Sequence, residues 1–161
     1  MTGTDFFGVL EVLIRREVQF VLIGGLAARL HGSPTVTIDV DICPAQDTDN
    51  LDRLAEALRE MDAQLRSVSE KVPFTLDSKT LTRSTNLTLI TSRGALDVLG
   101  APAGTTGYRE LAANAITLDV EGLPLKVASL DDLMRMKEAS GRPKDRIELE
   151  VLGALRDELE S

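Results

Sequence analysis

Aromatic residues are nearly missing from this chain: no Trp, one Tyr and four Phe occur among 161 residues. The core must therefore be built from Leu, Val, Ile and Ala, and little ring surface is offered on which a nucleobase could stack. Cysteine is scarcer still. Cys43 stands alone, so the chain can form no internal disulfide and no cysteine-based metal cluster. Its place at the end of an aliphatic run suits a small buried filler. Long apolar runs are missing too. The longest, around FVLIGGLAARL, meets Arg29 far too early to span a bilayer. The opening MTGTDFFGVL lacks the basic region and extended apolar stretch of a secretory leader. These absences predict a soluble, cytoplasmic protein with no membrane association.

Positive charge is also in short supply: 18 Lys and Arg face 26 Asp and Glu, giving a net charge of −8 and a pI near 4.7. That balance speaks against a diffuse electrostatic grip on nucleic acid. The excess is uneven. Residues 39–62 carry eight acids against Arg53 and Arg59, whereas residues 126–146 carry six bases (Lys126, Arg135, Lys137, Arg142, Lys144, Arg146) against four acids. The two segments can line opposite walls of one cleft, or they can be two solvated helix faces.

What is present is a hydrophobic fraction of 43%, enough for one compact domain spanning residues 1–161. Residues 5–18 space Phe6, Val9, Leu10, Leu13 and Ile14 in helical rhythm, with Asp5 as N-cap. FVLIGG reads as a buried strand stopped by two glycines, LAARLHG as a short helix ended by Gly32, and residues 35–42 as the next strand. Residues 48–62 form an amphipathic helix through Leu51, Leu54, Ala55, Leu58 and Met61. Residues 63–85 have weak periodicity and read as a loop with short strands. NLTLIT and ALDVLG are strands joined by SRG, GYRELAANA is a helix, and ITLDV with LPLKVAS makes a hairpin around Glu121-Gly122. Ser129 and Asp132 open the helix LDDLMRMKEAS as a capping box. Gly141, Arg142 and Pro143 break it, and a last helix from Lys144 to Glu158 carries a stripe of Ile147, Val151, Leu152, Leu155 and Leu159 that can close the core. The fold class is mixed α/β (α+β): a mixed β-sheet flanked by helices.

Three features carry chemistry. In TVTIDVDI, Asp39 and Asp41 share one strand face while Ile38, Val40 and Ile42 share the other. Alone, this is also the pattern of a one-sided strand with a solvated acidic face. Gly24-Gly25 sits between a strand and a helix, where paired glycines admit a phosphate close to the backbone, or simply make a tight turn. Asp97 lies inside the apolar strand GALDVLG, and burying it requires a base, several hydrogen-bond donors or a metal. Together, three carboxylates can hold two Mg²⁺ ions, hard cations that take oxygen ligands. Such a pair stabilises the attacking and leaving oxygens of phosphoryl or nucleotidyl displacement. His31, in LHGSP, caps the short helix or packs against the strand rather than serving as a base, despite its useful pKa range.

The stretch LIGGLAARLHGSPTVTIDVDI resembles the signature of the DNA polymerase β-like nucleotidyltransferase superfamily, a glycine turn and short helix followed by Asp-x-Asp on the next strand. ALDVL is placed like that superfamily's third carboxylate. LPLKVASLDDLMRMKEASGRPKDRIELEVL is similar to small bacterial nucleotidyltransferase-like proteins related to abortive-infection (AbiEii-like) and toxin–antitoxin systems. In those relatives a Lys, an Arg and an Asp recur in a helix–turn–helix segment, which maps onto Lys137, Arg142 and Asp145.

The resemblance implies the nucleotidyltransferase fold and transfer of an NMP from a nucleoside triphosphate to a hydroxyl acceptor, with release of pyrophosphate. It implies Mg²⁺ on Asp39, Asp41 and Asp97, with Asp97 also taking the acceptor proton. Gly24 and Gly25 would seat the triphosphate, Lys137 and Arg142 would steady it, and Asp145 would orient one of those bases. The acceptor is an RNA end, a protein or a small molecule. Thr35 departs from the pattern, since many relatives carry a base there; Arg29, Lys71, Lys79 or Arg83 can substitute. The alternative is a catalytically weak or inactive member of the fold acting as the protein partner in a toxin–antitoxin pair.

Overall fold

The computed structural model describes residues 3–66, 76–83 and 86–160. Helix α1 (Phe6–Arg15) begins where Asp5 accepts a hydrogen bond from the Gly8 amide, and it buries Val9, Leu10, Val12 and Leu13. Strand β1 (Phe20–Ile23) is buried throughout and runs straight into α2 (Gly24–Leu30). Both glycines are thus the first residues of the helix rather than a turn before it. Strand β2 (Asp39–Pro44) and α3 (Thr48–Glu60) follow, the latter capped by Asp47. Next come β3 (Gln64–Leu65), α4 (Ser78–Arg83), and the paired strands β4 (Asn86–Thr91) and β5 (Gly94–Leu99).

Helix α5 (Tyr108–Asn114) leads to the hairpin β6 (Ile116–Val120) and β7 (Leu123–Val127). Its two-residue turn has positive φ at Glu121 (51°) and Gly122 (89°), which suits the twist of a tight hairpin. Helix α6 (Leu130–Ser140) starts at Ser129, whose side chain accepts from the Asp132 amide, and stops at left-handed Gly141. The capping box is one-sided, because the Asp132 carboxylate turns away to Asn114 and Arg135. Helix α7 (Pro143–Glu160) completes the fold.

Among the described residues seven strands form one mixed sheet in the order β3-β4-β5-β2-β1-β7-β6, parallel at β2–β5 and β1–β7 and antiparallel elsewhere. The core between sheet and helices is aliphatic, with Leu13, Leu22, Ile42, Leu54, Leu58 and Leu96 among its fully buried side chains. No helix among the described residues is long and apolar enough to cross a membrane.

Three expectations need correction. The strand expected from residue 35 begins at Asp39, and Val36 and Ile38 are 86% and 68% exposed. Before Asp39, short polar side chains bond locally instead of joining the ladder: Ser33 with Thr35, and Thr37 with the Asp39 backbone. The stripe on the last helix does not close the core as a whole. α7 packs on α6, so only Leu152 is fully buried while Ile147 and Leu159 remain 67% and 62% exposed. The weakly periodic segment 63–85 contains the helix α4 as well as the short strand β3.

Candidate active site

Strand register assembles the carboxylates. Asp41 lies opposite Ile23 in β1 and opposite Asp97 in β5, and Asp39 follows on the same face two residues away. One oxygen from each of Asp39, Asp41 and Asp97 lies within 4.8 Å of the others. The first residue of α2 makes room for them. Gly24 has φ +75°, and a Cβ there would stand 2.1 Å from Asp41 Oδ2. At Gly25 a Cβ would stand 2.9 Å from Thr37. The structure gives Gly24 a role that the sequence reading did not name: it admits the Asp41 carboxylate against the backbone.

Crowding shows in the electrostatics. Burial, the charges of Asp97 and Asp39, and a side-chain hydrogen bond with Asp97 push Asp41 up to about 7, against the opposing pull of Lys137. Asp97 is raised as well, by burial first, with Arg66 working in the other direction. Oδ1 of Asp39 and Oδ1 of Asp41 are buried and accept no hydrogen bond. Asp39 Oδ1 has an ion pair with Arg66 at 3.5 Å in place of a hydrogen bond, and crowded carboxylate oxygens are costly unless cations join them, so the donor set fits a hard divalent metal.

The Lys/Arg/Asp segment forms the second half. Asp145, in the first turn of α7, is fully buried. Burial alone would raise its pKa, but hydrogen bonds from Arg142 (2.7 Å), Ser140 and Lys137 (3.3 Å) outweigh that and hold it well below the usual carboxylate range. Lys137 also pairs with Glu148. Lys137 and Arg142 share a cavity of about 170 Å³ with Gly24 and Asp41, so one acid of residues 39–62 and two bases of residues 126–146 line one cleft, while most of the other acids lie on α3.

Other expected residues lie elsewhere. His31 Nε2–H donates to the Ala128 carbonyl at 2.8 Å, tying the end of α2 to the end of β7. Replacing His31 with Ala should therefore lower stability by about 1 kcal/mol in a denaturant melt and leave kcat unchanged. Cys43 is wholly buried, and burial raises its thiol to about 12. Thr35 bonds Ser33, Arg29 and Lys79 are exposed, and Lys71 and the Arg83 side chain fall outside the described residues.

Arg66 is the base that sequence reasoning missed. From the end of β3, its Nη2 lies 3.1 Å from Asp97 Oδ1 and its Nη1 3.5 Å from Asp39 Oδ1. Only the requirement that an acid inside an apolar strand find a partner pointed to such a residue.

No family model matches this chain, and no curated protein matches its sequence. Solved structures do. The lincosamide antibiotic adenylyltransferase LnuA, solved with lincomycin bound, superposes with a TM-score of 0.64 at 11% identity, over 96% of this chain and 99% of that one. The antibiotic-resistance factor ANT(2'')-Ia gives 0.54 at 16% identity, over 96% and 89%. An antigenic nucleotidyltransferase-like protein from Paracoccidioides brasiliensis gives 0.55 at 19%, over 93% and 73%. The chain has the nucleotidyltransferase fold.

Proposed function

We propose that this chain is a Mg²⁺-dependent nucleotidyltransferase, transferring an NMP from a nucleoside triphosphate to a hydroxyl acceptor. The observation that carries the reading is the convergence of Asp39, Asp41 and Asp97, with two of their buried oxygens accepting no hydrogen bond. Asp39, Asp41 and Asp97 would hold the metal, which supplies charge neutralisation for the triphosphate and polarises the reacting phosphorus. Lys137 and Arg142 line the cavity beside Asp41 and attract the phosphate tail, while Asp145 holds both bases in place. Asp97, with its raised pKa, accepts the acceptor hydroxyl's proton as the acceptor oxygen bonds to the α-phosphorus and pyrophosphate departs. The acidic surface suits a small molecule or a protein hydroxyl better than an RNA end. The resemblance to two enzymes named for antibiotics adds weight to the small molecule.

Titration calorimetry with ATP, GTP, CTP and UTP, with and without Mg²⁺, tests the reading. Nucleotide binding that requires Mg²⁺ is expected, with little preference among bases because the chain has few aromatics to stack on them. Failure of the folded protein to bind any of the four would overturn it in favour of an interaction protein of a toxin–antitoxin pair.

A further inference from the structure

Arg66 does more than sit near the carboxylates. Its Nε and Nη2 both donate to the Leu89 carbonyl on β4, which fixes the guanidinium over the strand ends. In that position Nη2 donates to Asp97 Oδ1 at 3.1 Å and Nη1 stands 3.5 Å from Asp39 Oδ1. One guanidinium therefore spans two of the three carboxylates. It is 28% exposed, so water screens it only in part.

We infer that Arg66 is the resident counter-cation of the carboxylate cluster and that a divalent ion must displace it to load the site. This rests on the reading of the cluster as a metal site. Three aspartates within 4.8 Å repel one another, and among the described residues Arg66 is the cation ion-paired to two of them. A divalent ion needs the same oxygens at about 2.0–2.4 Å. It therefore meets both a competitor for its ligands and a like charge close by. Asp41 is the carboxylate that Arg66 leaves alone, and it faces Lys137 and the cavity instead. Metal entry from that side reaches Asp41 first, then draws Asp39 and Asp97 off the guanidinium. Arg66 already borders a pocket lined also by Thr4, Ile38, Asp39, Ile90 and Ala95, which gives the released guanidinium room to turn.

Mn²⁺ is the probe, and binding is followed by calorimetry on the full chain. Arg66→Met is expected to bind Mn²⁺ about tenfold more tightly than wild type, the scale on which groups beside metal ligands tune affinity. In EDTA at pH 8 the same variant is expected to melt at lower temperature than wild type, and an unchanged Tm would count against the inference. Equal or weaker Mn²⁺ binding by the variant overturns the inference and leaves the metal reading standing. Binding to neither protein overturns both. Arg66→Gln keeps a donor for the Leu89 carbonyl while removing the charge, and replaces the Met variant should that one fail to fold. The wild type gives an independent measurement: saturating Mg²⁺ should shift the Arg66 side-chain N–H resonances, and unchanged resonances at saturation overturn the displacement.

Discussion

Asp41→Asn is expected to cut nucleotidyl transfer by about 10³-fold or more while making the metal-free protein more stable above neutral pH. The first effect follows from removing one anionic oxygen from a site whose proposed work is to gather cations at a reacting phosphorus. The second follows from linkage. Asp41 has a folded-state pKa pushed up to about 7, well above the ordinary aspartate value of about 3.9, so the folded chain holds the proton more tightly than the unfolded one. Its contribution is therefore fully present below about pH 4 and is lost as pH rises through 7. Asparagine is neutral throughout and escapes that loss, by up to about 4 kcal/mol at pH 8. Thermal melts in EDTA from pH 5 to 8 should show the gap between variant and wild type widening with pH. A constant gap would mean that Asp41 is ionised in the folded protein at all these pH values. Saturating Mg²⁺ should narrow the gap at pH 8, because the metal rewards the ionised aspartate and not the amide.

Gly24→Ala is the second substitution with a large expected cost. The position has φ +75°, which costs a residue bearing a Cβ about 1 kcal/mol, and the new methyl would overlap Asp41 Oδ2. A total loss near 3 kcal/mol is expected in denaturant unfolding. Activity should fall further than stability alone dictates, because the atom displaced belongs to the cluster. Gly25→Ala meets Thr37 Cβ at 2.9 Å, so the backbone around Thr37 must shift, but with no positive φ and no clash with the carboxylates it should cost less. A Gly24→Ala protein with wild-type kcat would show that the Asp41 position is not critical to the reaction.

The central strands and most helices were legible because their signals are local. Asp5, Asp47 and Ser129 cap the helices they precede, and alternation in NLTLIT and ALDVLG matches β4 and β5. The three aspartates were legible for a related reason: acids inside aliphatic strands demand an explanation, and the register then brings Asp41 against Asp97. What stayed hidden depends on contacts distant in sequence. Ile38 looked like a core residue until the neighbouring strands were seen to begin pairing only at Asp39. The apolar residues of α7 kept their helical spacing, yet the surface they face is α6 rather than the sheet. Arg66 follows a two-residue strand whose partner lies more than twenty residues later, so nothing in its neighbourhood announced its target.

The sheet order separates these players by depth. β2 and β5 lie inside the sheet with partners on both sides, whereas the two-residue β3 that carries the chain to Arg66 forms its edge. Edge strands with few backbone bonds open at small free-energy cost, while central strands open only as the whole domain does. Amide exchange should thus be fast around Arg66 and slow at Val40, Ile42 and Val98. The aspartates ride on strands that open last and their basic partner follows the strand that opens first, so the counter-ion can be exchanged without disturbing the carboxylate scaffold.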